Sequence, residues 1–342
     1  MNVTAGVLIA IVAGSMNGLF MLPMRANKQW AWENNWLPFS LLSFAVFPCL
    51  IAWHTIPVVL AVYLHANAMD IFAALLCGTL AYTGSLLFGI SAIQIGVALS
   101  FSLLVGTMSA VGVMAPRLLL HHSLFGSVGD DFVLAGVCLS LVSVVFGFVS
   151  NRGKCAGGER TTASAANSAT GCALAIAGGA LSGLLPSGMA MPWAHRLIDS
   201  AIANGGAPPA QASNAVLALV LLGGALPNCC YCVYLLRANA TYRNYIRNSR
   251  MLYWLIVLSM GFLYSASVAL WGIAISPHML GAFGPSVGWA LFVGMMVVAS
   301  TAAGLLSGEW RFARLSSIAF LVSSLVALVS ATILICYGTY LS

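Results

Sequence analysis

Ten apolar runs, each close to the length of a bilayer crossing, constrain this chain more than any other feature. They span residues 5–24, 36–55, 71–92, 96–116, 132–150, 171–190, 212–236, 252–274, 285–306 and 315–339. A helix needs roughly 20 mostly apolar residues to cross the hydrocarbon core, whereas a barrel strand needs about 9–11 residues of alternating polarity. The runs show no alternation, so each reads as a spanning helix, a form that pairs every backbone N–H and C=O inside lipid. Composition leads to the same place. Hydrophobic residues make up 61% of the chain and charged residues 6%, against about 25% charged in ordinary soluble domains. So few charges cannot cover a water-facing surface. That excludes a soluble enzyme, a disordered chain and an ordinary nucleic-acid binder. The expected fold is all-α, polytopic and embedded in a lipid bilayer.

The cations set an expected orientation. Eleven of the 13 Lys and Arg residues follow odd-numbered spans, and only Arg117 and Arg196 follow even-numbered ones. Cytoplasmic loops carry the Lys/Arg excess, so both termini are expected outside the cytoplasm. The first run does not read as a secretory signal, because Arg25 and Lys28 come after it and no charge precedes it. Cys49, Cys77, Cys138, Cys172, Cys229, Cys230, Cys232 and Cys336 fall in or beside apolar runs, where Cys acts as a small hydrophobe. Cys155 falls in a loop expected to be cytoplasmic, where thiols stay reduced. The Cys229-Cys230-x-Cys232 cluster lacks a neighbouring His or carboxylate, so helix packing is the better reading, and neither a metal nor another cofactor is expected.

Internal similarity divides the chain. Gly6, Ala10, Ile11, Gly14, Gly18 and Leu19 align with Gly171, Ala175, Ile176, Gly179, Gly183 and Leu184. Two later stretches match in the same order, Gly78–Ile90 with Gly261–Ile273 and Gly96–Met108 with Gly284–Met296. The expected organisation is one five-helix repeat over 1–150, a cytoplasmic linker over 151–170 and a second repeat over 171–342. A five-helix unit enters the membrane the opposite way the second time. Inverted repeats are typical of secondary transporters, with a site near the midplane. Gly14-xxx-Gly18 and Gly179-xxx-Gly183 supply small-xxx-small spacing for close helix contact.

The spans are nearly free of ionisable groups. Glu33, Asp70, Asp130, Asp131, Asp199 and Glu309 fall at span ends or in loops. Asp70 and Asp130–Asp131 read as helix starts, where acids suit the dipole. Such an interior suits an uncharged substrate. A sugar site needs an apolar pocket with a few convergent polar groups. The candidates are Asn17, Tyr82, Ser85, Ser100, Asn228, Tyr231, Tyr264, Ser267, Trp271 and Trp289. Helical spacing groups Tyr82 with Ser85, Asn228 with Tyr231, and Tyr264 with Ser267 and Trp271. Mid-span Asn17 and Asn228 are the strongest, because an unpartnered amide in lipid is costly. The region Tyr264–Met296 holds no Asp, Glu, Lys or Arg, which leaves His278 as its candidate for proton coupling. An intramembrane enzyme would need an inward nucleophile–base pair or metal cluster; neither HExxH nor GxSxG occurs with the right flanks, so no enzyme is expected.

The segment Pro23-x-Arg25-x-x-Lys28-x-Trp30-x-Trp32-Glu33-x-x-Trp36 resembles the stretch after the first helix in the L-rhamnose–proton symporter family, of the drug/metabolite transporter superfamily. Gly84–Gly106, Gly223-Gly224-Ala225-x-x-Asn228 and Glu309-Trp310 are similar to further stretches of that family. The resemblance implies ten helices in two inverted repeats, and import of L-rhamnose or a related deoxyhexose with proton symport by alternating access. It also implies a bacterial-type inner membrane. Export of small metabolites or drugs is the alternative within the superfamily. Arg25, Lys28, Trp30, Trp32 and Glu33 carry the motif; they are expected at the cytoplasmic interface as aromatic and cationic anchors, with Glu33 paired to an Arg or Lys.

Overall fold

The computed structural model describes residues 2–95, 97–119, 126–154, 165–247, 249–281, 284–307 and 313–341. The chain order is α1 (Val3–Leu19), α2 (Trp32–Leu41), α3 (Phe47–Thr55), α4 (Val59–His65), α5 (Ala68–Ile95), α6 (Val97–Leu119), α7 (Val128–Lys154), α8 (Ala165–Ser182), α9 (Leu184–Met189), α10 (Pro192–Ala203), α11 (Ser213–Ala238), α12 (Asn244–Arg247), α13 (Met251–Ala274), α14 (Gly284–Leu306) and α15 (Leu315–Leu341). A π-helical turn, Leu42–Val46, fuses α2 and α3 into one span. Among the described residues nine helices are long and apolar enough to cross a membrane, and Leu103–Leu118 is a shorter apolar helix. The chain is an all-helical, multi-pass membrane protein.

Several expectations change. Two short helices, α4 and α10, were not expected as elements. Arg117 and Arg196 lie inside α6 and α10 rather than in loops. The described ends of the expected linker are helical, since α7 runs on to Lys154 and α8 begins at Ala165. Cys155, Glu159 and Arg160 of that linker, His121 and His122, and Glu309, Trp310 and Arg311 lie outside the described residues.

The chain forms two compact units. Unit 1 comprises Met1–Tyr82 with Met191–Gly281, and unit 2 comprises Thr83–Ala190 with Ala282–Ser342. Both draw on each half of the sequence, a grouping by contact that is a different property from internal homology.

In unit 1, α11 is the most enclosed span, buried along both its faces. It is also interrupted by proline, as is the α2–α3 span. Proline has no N–H to give its helical acceptor, and lipid offers no replacement, so another donor must come from the protein. Three such acceptors are met by hydroxyls. Pro227 frees the Gly223 carbonyl, which accepts from Thr79 Oγ1 at 3.0 Å. Pro38 frees the Asn34 carbonyl, which accepts from the Tyr245 hydroxyl at 3.1 Å. Pro48 follows the π turn, whose i−5 register makes Ser43 its acceptor, and Ser265 Oγ donates there at 2.9 Å. An apolar cluster of Ala52, Ile56, Val59, Val62, Ala201, Ala207, Ala212, Ala215 and Ala218 seats α4 and α10 against α11. Asp70 and Arg196 lock this end, at 2.8 Å from Nε and 2.5 Å from Nη2.

In unit 2, small residues bring helices together. A Cβ at Gly179 would lie 2.5 Å from the Leu104 carbonyl, and one at Gly183 2.8 Å from Val111, so only glycine allows α8 its approach to α6. On α7 and α15, Ser143 and Ser324 each donate to the other's carbonyl, at 2.7 and 2.8 Å, and Ser150 donates to the Ser317 carbonyl at 2.6 Å. Asp130, in the first turn of α7, pairs with Arg117 at 2.7 Å, and both side chains are almost wholly buried.

Candidate substrate site

Unit 1 gathers an aromatic shell around a few amides and hydroxyls. The α2 helix supplies Trp36 and Phe39, and the π turn re-aims Phe44 toward the same cluster. Phe20, at the end of α1, stacks on Phe39 with centroids 5.3 Å apart and meets Tyr264 edge-on at 5.2 Å. Tyr82 packs on Phe44 at 4.7 Å, and its hydroxyl accepts from the Tyr264 hydroxyl at 3.1 Å. Trp32 stacks on Trp36 at 5.0 Å and touches Tyr231 edge-on at 6.5 Å.

Asn228 is the polar centre. It is fully buried on α11, one residue after Pro227. Its Oδ1 accepts from Trp36 Nε1 at 3.2 Å, and its Nδ2 donates to the carbonyls of Gly224 at 3.0 Å and Tyr82 at 3.4 Å. The second amide, Asn17, donates through Nδ2 to Ser267 Oγ at 2.9 Å, and Ser267 donates to the Tyr264 carbonyl at 2.6 Å. Near the start of α11, fourteen residues before Asn228, Asn214 donates to Thr55 Oγ1 at 3.1 Å while its buried Oδ1 has no protein partner. Asn214 lines a cavity of about 10 Å³ with Pro48 and Ser265, roughly one water in size.

The structure thus brings together Asn17, Tyr82, Asn228, Tyr264 and Ser267, with Tyr231 at the margin. Trp271 is buried one turn beyond Ser267 on α13. Ser85, Ser100 and Trp289 belong to unit 2. There Ser100 and Ser91 share a hydroxyl hydrogen bond, and Trp289 donates to the Met108 carbonyl at 3.2 Å. His278 is exposed in the turn after α13, where its carbonyl accepts from the Asn2 N–H at 3.0 Å. Sequence reading missed Phe20, Trp36, Phe39 and Phe44 as site residues. A partial signal existed: Phe20 follows Asn17 by three and Phe39 follows Trp36 by three, whereas Phe44, five beyond Phe39, joins them only through the π turn.

The start of α2 is a polar knot. Glu33 was expected to pair with a cation. The partners found for its Oε1 are neutral, Asn239 Nδ2 at 3.0 Å and Thr241 Oγ1 at 2.7 Å. Asn34 donates to the Thr241 carbonyl at 2.9 Å and accepts from Asn244 Nδ2 at 3.1 Å. Burial pushes the Tyr245 hydroxyl up to about 12, and it donates to the Asn34 carbonyl at 3.1 Å. Trp30 is buried against Tyr245, Tyr253 and Trp254.

Residues 1–340 match the family described as L-rhamnose-proton symport protein (RhaT). The chain belongs to this family. An L-rhamnose-proton symporter of Klebsiella pneumoniae is 26% identical over 241 residues, a stretch covering 67% of this chain and 66% of that protein. One of Cronobacter sakazakii is 23% identical over 350 residues, 98% of each chain. One of Yersinia pestis bv. Antiqua is 23% identical over 346 residues, 96% of each. A protein of known crystal structure, 15% identical, shares the fold with a TM-score of 0.56 over 97% of this chain and 96% of that one. RhaT membership makes a transporter of the chain rather than an enzyme, and gives the motif from Pro23 to Trp36 its context at the entrance to α2.

Proposed function

We propose that this chain is a secondary active transporter that carries L-rhamnose or a related deoxyhexose together with a proton, by alternating access across a bacterial inner membrane. The aromatic and amide cluster of unit 1 is its sugar site. One observation carries the reading: a fully buried Asn228, bonded to Trp36 and to the Tyr82 carbonyl, both of which belong to one aromatic cluster with Phe20, Phe39, Phe44 and Tyr264. Amides exchange hydrogen bonds with sugar hydroxyls, and ring faces cover sugar C–H surfaces. In the conformation described, Asn228 is engaged by protein groups, so a sugar hydroxyl competes with Trp36 Nε1–H for Oδ1. Loading therefore means moving α2 against α11, and both spans carry the proline gaps that ease bending.

The finer topology belongs to the same proposal. Five-helix repeats over 1–150 and 171–342 are inverted in the membrane, and both termini lie outside the cytoplasm, in keeping with the cation bias. His278 is the group to examine for proton coupling. The experiment is uptake of labelled L-rhamnose into proteoliposomes under an imposed pH gradient. Uptake should follow the gradient and collapse when a protonophore dissipates it. Failure to take up L-rhamnose or any deoxyhexose under either gradient direction would overturn the reading, and gradient-independent uptake would remove the proton from it.

A further inference from the structure

Exposed cations crowd one surface of unit 1. Lys28 precedes α2, Arg237 ends α11, and Arg243, Arg247 and Arg250 fill the short passage to α13; all five are exposed. Neither 21–31 nor 237–250 contains an Asp or Glu, and Glu33, the nearest acid in sequence, is buried in its own hydrogen bonds. The passage is pinned in place. Thr241 and Asn244 bond to the start of α2, and the Tyr245 ring stacks on Trp254 with centroids 5.9 Å apart. Arg243 lies over the Tyr242 ring at 5.8 Å. Ile246, between the arginines, is 84% exposed, and Met251, at the mouth of α13, is 73% exposed. These contacts hold the twelve residues that join two membrane-crossing helices close to the span ends. An isoleucine and a methionine are thus exposed beside the arginines at the ends of two spans.

We propose that this surface binds the headgroups of anionic phospholipids, the guanidinium groups of Arg243, Arg247 and Arg250 taking the phosphates while Ile246 enters the acyl boundary. Arginine forks match phosphate geometry, and each surface cation adds about fivefold to affinity for an acidic leaflet. A solvent-facing loop would have no use for an outward isoleucine between cations, and an acidic soluble partner would not require it.

Native mass spectrometry of the full-length protein, titrated in detergent with phosphatidylglycerol or phosphatidylcholine, tests this without reference to transport. Wild type should retain phosphatidylglycerol at least fivefold over phosphatidylcholine. R243Q/R247Q/R250Q should lose that preference, R243K/R247K/R250K should keep most of it, and I246S should weaken retention of both lipids. Half-molar salt on wild type should erase the preference, which keeps the test decisive if the glutamine variant does not fold. Absence of a preference in wild type, as for a patch that serves an acidic protein instead, overturns the proposal. So does a preference that survives in a folded glutamine variant, or one abolished by millimolar inorganic phosphate.

Discussion

Unit 1 and unit 2 solve the same problem, packing helices where water exerts no hydrophobic drive, by different chemistry. Unit 2 closes helix pairs with glycine and reciprocal serine bonds, as between α7 and α15. Its one described ion pair, Arg117–Asp130, ties α6 to α7. Unit 1 also has a glycine seam, where a Cβ at Gly78 or Gly223 would strike the Val220 or Leu75 carbonyl, but beside Asn228 it sets large rings between its helices, interrupts two spans with proline, and covers the exposed carbonyls with hydroxyls from other elements. Small-residue seams leave little room for a ligand. Rings and amides leave surfaces that can be re-paired. That difference is what supports the proposal of substrate chemistry in unit 1, with unit 2 as the more rigidly packed part.

The strongest way to break that comparison is in unit 2. Arg117→Met should cost about 3–5 kcal/mol, because it strands a buried carboxylate, and Asp130→Leu in the same chain should recover much of the loss. Melting temperature of the purified protein reads both. A smaller, different effect is expected in unit 1. Asn228→Ala should lower stability by about 1–3 kcal/mol, the cost of leaving its partners unmet, yet abolish uptake of L-rhamnose outright. Trp36→Phe, which keeps the ring and removes the Nε1–H, should lose less than Asn228→Ala in both measurements.

Thr79→Val sharpens the proline account. Alone it should cost about 1–2 kcal/mol. With Pro227→Ala, which returns an N–H to the Gly223 carbonyl, the cost should nearly vanish, giving a coupling that a double-mutant cycle detects. Additive effects would show that Thr79 does something else. The smallest change is expected from Ser143→Ala on α7, about 0.6 kcal/mol by the average for hydrogen bonds between membrane helices, with uptake unaltered.

Much of this was legible in the residues. Span length and charge scarcity gave the fold, because bilayer thickness fixes helix length. Asn17 and Asn228 stood out because an amide within a span must find partners, and both do. What escaped notice depended on pairing between elements. Arg117 is only 13 residues from Asp130 but reads in the sequence as a loop cation, and Asp70 finds Arg196 on an element 126 residues away. Sequence reading does not single out Trp36, Phe39 and Phe44 as site residues; only the π turn and α1 reveal that these rings form one cluster with Tyr264. Ser85 and Tyr82 share a helical face in sequence, yet α5 contributes them to different units.

The proposal places the sugar in unit 1 alone. Its most direct test is the L-rhamnose-induced rise in melting temperature, measured on wild type, Asn228→Ala in unit 1 and Ser324→Ala in unit 2. Wild type should show a rise, Ser324→Ala the same rise from a slightly lower baseline, and Asn228→Ala none. A full rise in Asn228→Ala, or its loss in Ser324→Ala alone, would contradict it.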